Sequence, residues 1–300
     1  MSHFLSLIVL FMLCSSSATA APVTGIDYQR ADSLEVVKLV NDGKLRSTLD
    51  YARHFLGRPY VAYTLDGYYK AGAKADAEHL VVNLREFDCL TLVETCRALA
   101  MTRAQLNADS HLHIWDAYCS NLAALRYFSK SGLHDGKARG LYLDRIHYLT
   151  MSIDEHTKQG LMKEVVLPAK LTRERSPQIN YMSRHPQSYF ALKAHPDLVK
   201  PLAQLERKFS GKSMRYLPQS NCGLSRKELG AIHDGDIVYI VTSKDGLDYA
   251  HQGFAFWDQD GHLHMLHASS AKKRVIADPL PLDAYLRGIS TSIGVRAFRQ

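Results

Sequence analysis

After Ser225 the chain changes character, and that change fixes the order in which its layers can be laid down. Ser225-Arg226-Lys227-Glu228 has capping-box spacing. From there to the end the pattern is strand-like, with strands expected over 236–242, 250–258, 262–267 and 291–298, a hairpin turn at Asp260-Gly261 and a short helix over 282–286. Upstream the apolar spacing is helical. Leu34, Val37 and Val40 lie on one face, a break is expected at Asp42-Gly43, and Leu45, Leu49, Ala52, Phe55 and Leu56 follow before Gly57 and Pro59 end the run. A second helix starts at Cys89 and carries Leu92, Val93, Cys96 and Ala100 on one stripe. The next carries Leu112, Trp115, Cys119 and Leu122 and stops near Gly132, and another is expected over 141–160. Helices first and an antiparallel sheet last is an α+β order.

Between these halves the segment 165–224 is irregular, with six prolines from Pro168 to Pro218 and short helices around Tyr189 to Phe209. No repeat or low-complexity linker divides the chain, so residues 21–300 are read as a single domain with an elaborated middle over roughly 105–225. The first twenty residues contain no Lys, Arg, Asp or Glu, and the run from Phe4 to Leu13 leads into Ala18-Thr19-Ala20. That is the pattern of a cleaved secretory signal over 1–20, and the run falls short of the about 20 residues needed to span a bilayer. Export, to a periplasm, is therefore expected, without stable membrane insertion.

A net charge of +7 favours acidic partners at long range. The basic residues are scattered, with no arm or aromatic-interleaved stripe, so nucleic acid is not indicated. Of the four cysteines beyond the signal, Cys89 and Cys96 lie two helical turns apart, about 10 Å along the axis, and are out of bridging range. A bridge between Cys119 and Cys222 and a fully reduced set both remain open.

Three residues carry the chemistry. In Glu86-Phe87-Asp88-Cys89 a thiol follows a capping aspartate at a helix start. The helix dipole contributes about 0.3–1 kcal/mol there, less than one pKa unit, so a charged histidine is required to hold a thiolate. His251 sits on one strand and shares its face with Gly253 and Ala255, small residues that would admit a closely packed helix. On the next strand His267 shares a face with Leu263 and Met265, while His262 and His264 point the other way. Only His267 is placed to orient His251, and the same parity splits His262, His264 and His267 as metal ligands. No metal and no cofactor are expected.

These residues resemble the NlpC-type branch of papain-like cysteine hydrolases, enzymes that cut amide bonds in peptidoglycan. The likeness is carried by Leu56-Gly57-Arg58-Pro59-Tyr60, Phe87-Asp88-Cys89, His251-Gln252-Gly253-Phe254 and Leu266-His267-Ala268-Ser269. It implies a papain-like core with N-terminal helices on a C-terminal antiparallel sheet and a large insertion between nucleophile and base. It also implies Cys89 as nucleophile, His251 as general base and acid, and His267 as its orienter. Tyr60 and Asp88 would line the site. The chain departs from the ordinary pattern in Leu90-Thr91 after the cysteine, in lacking Gly-Gly after Tyr60, and in the 161 residues between Cys89 and His251. With Asn83-Leu84, Asp144-Arg145-Ile146-His147-Tyr148 and Ile179-Asn180-Tyr181-Met182-Ser183, it is similar to a divergent N-acetylmuramoyl-L-alanine amidase-like branch. That likeness implies muropeptides as substrate. Arg145, His147, Arg184 and His185 are candidates to hold their acidic groups. A stem-peptide endopeptidase, a non-catalytic wall-binding module and an acyltransferase or lipid-directed hydrolase are the rival readings.

Overall fold

A computed structural model describes residues 25–72, 78–129 and 142–300. The helices are α1 (Arg30–Asn41), α2 (Thr48–His54), α3 (Gly67–Lys70), α4 (Cys89–Ala108), α5 (Ile114–Arg126), α6 (Leu149–Lys158), α7 (Tyr181–Arg184), α8 (Phe190–Ala194), α9 (Val199–Phe209) and α10 (Leu282–Arg287). The strands are β1 (Ile26–Tyr28), β2 (Leu80–Val82), β3 (Lys163–Glu164), β4 (Arg173–Arg175), β5 (Met214–Pro218), β6 (Ile237–Thr242), β7 (Tyr249–Trp257), β8 (Leu263–Ser269), β9 (Arg274–Ala277) and β10 (Ser292–Arg299). An eight-stranded antiparallel sheet runs β4-β5-β10-β6-β7-β8-β9, with β3 also on β10, and β1 and β2 form a small parallel pair. The helix-then-sheet order expected of the sequence is what forms.

Both faces of the sheet are covered. Leu92, Val93 and Cys96 of α4 and Ala52 of α2 join Tyr239, Phe254, Leu266 and Ala268 in one apolar cluster. On the other face Leu282 and Leu286 of α10 pack with Val238, Ile240, Ala255 and Met265. Helix α4 therefore lies on the Phe254 face and not, as expected, over Gly253 and Ala255. Alternation in β7 and β8 could not tell the faces apart because every residue of β8 is buried. Each fully buried Leu or Phe contributes about 1.5–3 kcal/mol, more than the about 1 kcal/mol of a cap. Apolar contact thus sets where α4 lies, and its cap sets where it begins.

The middle segment departs from expectation in detail. Residues 142–144 form a 3₁₀ turn and only 149–158 are helical, because Tyr142, Ile146 and Tyr148 are drawn into a third cluster with Met182, Leu202 and Phe209. The stop near Gly132 falls outside the described residues, as does the segment 1–20. Strands β5 and β9 carry no clear alternation in the sequence; β9 is a short sheet edge beside Lys272 and Lys273. Cys89, Cys96, Cys119 and Cys222 are all free thiols. Cys119 and Cys222 belong to clusters on opposite faces of the sheet. Among the described residues no helix is long and apolar enough to cross a membrane.

One irregularity of the sheet positions the site. The β7–β8 ladder ends at Phe254↔Leu266. Beyond it β7 stays with β6 through Gln252 and His251, while β8 stays with β9 as far as Ser269↔Arg274. The sheet forks at Gly253, where an added Cβ would lie 2.5 Å from the Leu266 carbonyl oxygen and 2.9 Å from His267 Cβ. Because the obstacle is backbone, we expect Gly253→Ala to lower the unfolding free energy in urea by about 1–3 kcal/mol. An unchanged midpoint would show that the fork does not need a glycine.

Candidate active site

Cys89 is the first residue of α4, and its neighbour closes the helix end. Asp88 Oδ1 accepts from the Thr91 backbone N–H at 2.8 Å, and the Asp88 N–H donates to Thr91 Oγ1 at 3.0 Å. This is a reciprocal capping box with threonine in the third position. The strand-like run 57–61 holds the same turn from outside. Phe87 N–H donates to the Pro59 carbonyl, Tyr60 N–H to that of Lys273, and Gly57 N–H to that of Val275, each at 2.9 Å. Gly57 has φ of 85°, the left-handed backbone that glycine adopts without strain. The segment around Tyr60 thus laces the turn before Cys89 to β9.

Across the fork the two histidines meet. His251 Nε2 lies 2.6 Å from His267 Nδ1, with the rings near perpendicular at 84°. His267 is fully buried, and its Nε2 lies 3.2 Å from Asp278 Oδ2, a residue that the sequence reading did not single out. Nothing local marks Asp278, which follows an edge strand in Ala277-Asp278-Pro279. His264 instead stacks on Phe256 and shares Asp258 with His262, while His267 turns to Asp278 Oδ2, so the three histidines of the rival metal set do not converge on one point.

Cys89 and His251 share a cavity of about 270 Å³. Gln252, Asp248 and Glu94 line its wall together with Arg145, His147, Tyr148, Ser152 and Met182 of the middle segment. Tyr63 stands in the lining with φ of 62°, unusual for a residue with a side chain, and its ring meets Phe190 edge-on at 5.6 Å. Arg145 reaches this wall already paired, 2.8 Å from Asp66 and 3.2 Å from Glu78. Arg184 pairs with Asp245 on the surface and His185 stacks on Tyr181; neither lines the cavity.

Electrostatics reverse one expectation. Burial, and then the Asp88 charge, pushes the Cys89 thiol up to about 12, although backbone N–H groups of Gln252, Cys89 and Leu90 pull it back. Burial, and then His267, holds His251 down at about 3. Burial together with Cys89 and Asp88 raises the Tyr60 phenol to about 12, which places that ring within the electrostatic reach of both. The resting site is a neutral thiol with a neutral imidazole, not the thiolate–imidazolium pair expected from the helix dipole and a charged histidine. Sequence spacing gives the dipole and is blind to desolvation.

A family model described as AmiA-like, N-acetylmuramoyl-L-alanine amidase-like, matches residues 50–293. The chain belongs to this family. A Bacteroides uniformis structure named as an N-acetylmuramoyl-L-alanine amidase is 33% identical, covers 84% of this chain and 98% of its own, and superposes with a TM-score of 0.71. A Bacteroides fragilis structure carrying a provisional xylanase name is 32% identical over 84% of this chain and 100% of its own, at 0.70. A Legionella pneumophila protein, 19% identical over 89% of this chain and 94% of its own at 0.64, shares the fold. No curated protein matches the chain. Membership places the chain among amidase-like hydrolases, and the matched range contains Tyr60, Asp88, Cys89, Arg145, His251 and His267.

The neutral resting state has a direct consequence for this amidase-like site. With the thiol raised to about 12, the thiolate fraction and hence alkylation of Cys89 by iodoacetamide should rise about tenfold per pH unit from pH 6 to 9. Peptide mapping of the alkylated residue measures this. A rate already level from pH 5 upward would reveal a resting ion pair instead.

Proposed function

We propose that the protein is an exported, cysteine-dependent amidase that hydrolyses the bond between N-acetylmuramic acid and L-alanine in muropeptides, on an NlpC-type papain-like core. The observation that carries the reading is the convergence of a helix-start thiol and an imidazole hydrogen-bonded to a second imidazole in one cavity. Family membership and the name of the Bacteroides uniformis neighbour support the bond and the substrate. Residues 1–20 are proposed as the export signal.

In this mechanism His251 takes the Cys89 proton as the sulfur attacks the lactyl carbonyl carbon. The carbonyl electron pair moves to oxygen, where backbone N–H groups at the α4 start would stabilise it. The tetrahedral adduct collapses with cleavage of the C–N bond, His251 delivers its proton to the leaving alanyl amine, and a thioester remains. Water, deprotonated by His251, then attacks the thioester carbonyl. Release of the muramoyl carboxylate returns the thiol its proton. Forming the thiolate only within the attack step suits a site that burial keeps neutral at rest.

His267 is proposed to orient His251, and Tyr60 and Asp88 to border the reacting groups. Arg145 is proposed as a residue of the substrate side, since a ligand carboxylate that replaced Asp66 would keep its charge paired. Glycoside hydrolysis, the chemistry of the provisional xylanase name, requires two free carboxyl groups flanking a bond. Of the acids lining the cavity, Asp66 and Glu94 are engaged by Arg145 and Arg126 at 2.8 and 2.9 Å, and Asp248 accepts from the Thr150 and Tyr249 backbone N–H groups at 2.7 Å, which favours the amidase.

Mass spectrometry of purified muropeptides after digestion tests the reading. Wild type should release the intact stem peptide with a free alanine amine, while Cys89→Ala and His251→Ala should lose at least about a thousandfold in kcat. Shortened stem peptides with the muramoyl amide intact would indicate the endopeptidase, and undiminished turnover by Cys89→Ala would end the thiol mechanism.

A further inference from the structure

The two-histidine pair leaves a question that distances alone do not answer: which ring nitrogen of His251 is bare and able to take a proton. Asp278 answers it. Both carboxylate oxygens are committed, Oδ1 accepting from the Leu280 backbone N–H at 3.0 Å and Oδ2 lying 3.2 Å from His267 Nε2. Its backbone is held as well, its N–H donating to the Met265 carbonyl at 2.9 Å and its own carbonyl lying 3.0 Å from His264 Nδ1.

Asp278 is an acceptor. Burial pushes its carboxyl up, but the bond to His267, the Leu280 N–H and the charge of Lys272 bring it below its ordinary value. His267 Nε2 must then carry hydrogen, and a neutral His267 presents a bare Nδ1. That Nδ1, 2.6 Å from His251 Nε2, would accept from it, which would leave His251 with its hydrogen on Nε2 and a bare Nδ1. The other groups facing the pair do not compete for these atoms. The Tyr285 ring lies 5.1 Å from His267, and its phenol is held neutral by burial, Asp278 and Cys89.

We propose that Asp278 is a positioning residue that sets the tautomer of both histidines and so leaves His251 Nδ1 free to accept the Cys89 proton. The inference rests on the cysteine mechanism proposed above and adds a fourth member to it. It also explains why a buried carboxylate stands behind a second histidine: as His251 gains charge, the Asp278 charge two bonds away along the relay opposes the cost of burial.

Asparagine separates this role from a structural one. In Asp278→Asn the Leu280 N–H still claims the side-chain oxygen, so the turn survives. The amide NH₂ then faces His267 Nε2, which must become the acceptor. His267 Nδ1 becomes the donor, and His251 is left with hydrogen on Nδ1, the wrong tautomer for a base. In the serine-protease triad the equivalent replacement lowers kcat by about ten-thousandfold.

The test uses the full chain labelled with ¹⁵N-histidine. Wild type should show Nδ1 unprotonated and Nε2 protonated in both His251 and His267. Asp278→Asn should exchange these assignments and lower kcat at least about a hundredfold while KM and the melting temperature hold, and Asp278→Glu should recover part of the rate. Opposite tautomers in wild type overturn the proposal without recourse to any variant, as does an Asp278→Asn protein with full kcat or unchanged tautomers. Cys89→Ala is assayed beside them: turnover by that variant defeats the thiol mechanism, whereas an inert Cys89→Ala with a fully active Asp278→Asn defeats only the role of Asp278.

Discussion

A fork in the sheet is the constraint on which the site depends. Where β7 and β8 cease to pair beyond Phe254 and Leu266, the N-terminus of α4 meets the Gln252 backbone, and His251 and His267 reach one another across the opening. Gly253 allows the β8 backbone to approach at the branch point. The helix is pinned from two sides, by Leu92, Val93 and Cys96 in the apolar cluster and by the Asp88–Thr91 cap, while the Gly57–Tyr60 run ties the turn to β9. A thiol placed by this many independent contacts gives up little entropy on reaching a productive geometry.

Burial then governs the charge states. The cavity brings together ionisable groups: Cys89 and His251 are neutral at rest, and Arg145 is paired with Asp66 and Glu78. The helix dipole is too weak to offset desolvation of the sulfur. Under the proposed mechanism, charge separates only when substrate has displaced water, and the Asp278–His267 arm stands ready to oppose the charge that develops on His251.

What the sequence made legible was local. The cap and the helix start follow from spacing over a few residues, and Asp88 and Cys89 open α4 while His251 and His267 fall on the neighbouring strands β7 and β8 that spacing gave. Two things were hidden for physical reasons. A sheet covered on both faces erases the alternation that would have said which face receives α4. Asp278 acts through a loop after a four-residue edge strand, so its partnership with His267 arises from the β8–β9 register and not from any motif. The middle segment was read as largely irregular because its short helices pack on each other through Tyr148, Met182 and Leu202, a cluster with no single period.

The central claim is that the sulfur of Cys89 becomes acylated. Acid-quenching the enzyme during turnover of an N-acetylmuramoyl-L-alanyl peptide, followed by proteolysis and mass spectrometry, tests it most directly. The account predicts the mass of the N-acetylmuramoyl acyl group on the peptide that contains Cys89, lost on treatment with hydroxylamine. An adduct on any other residue, or the stem peptide in place of the muramoyl group on Cys89, would contradict it.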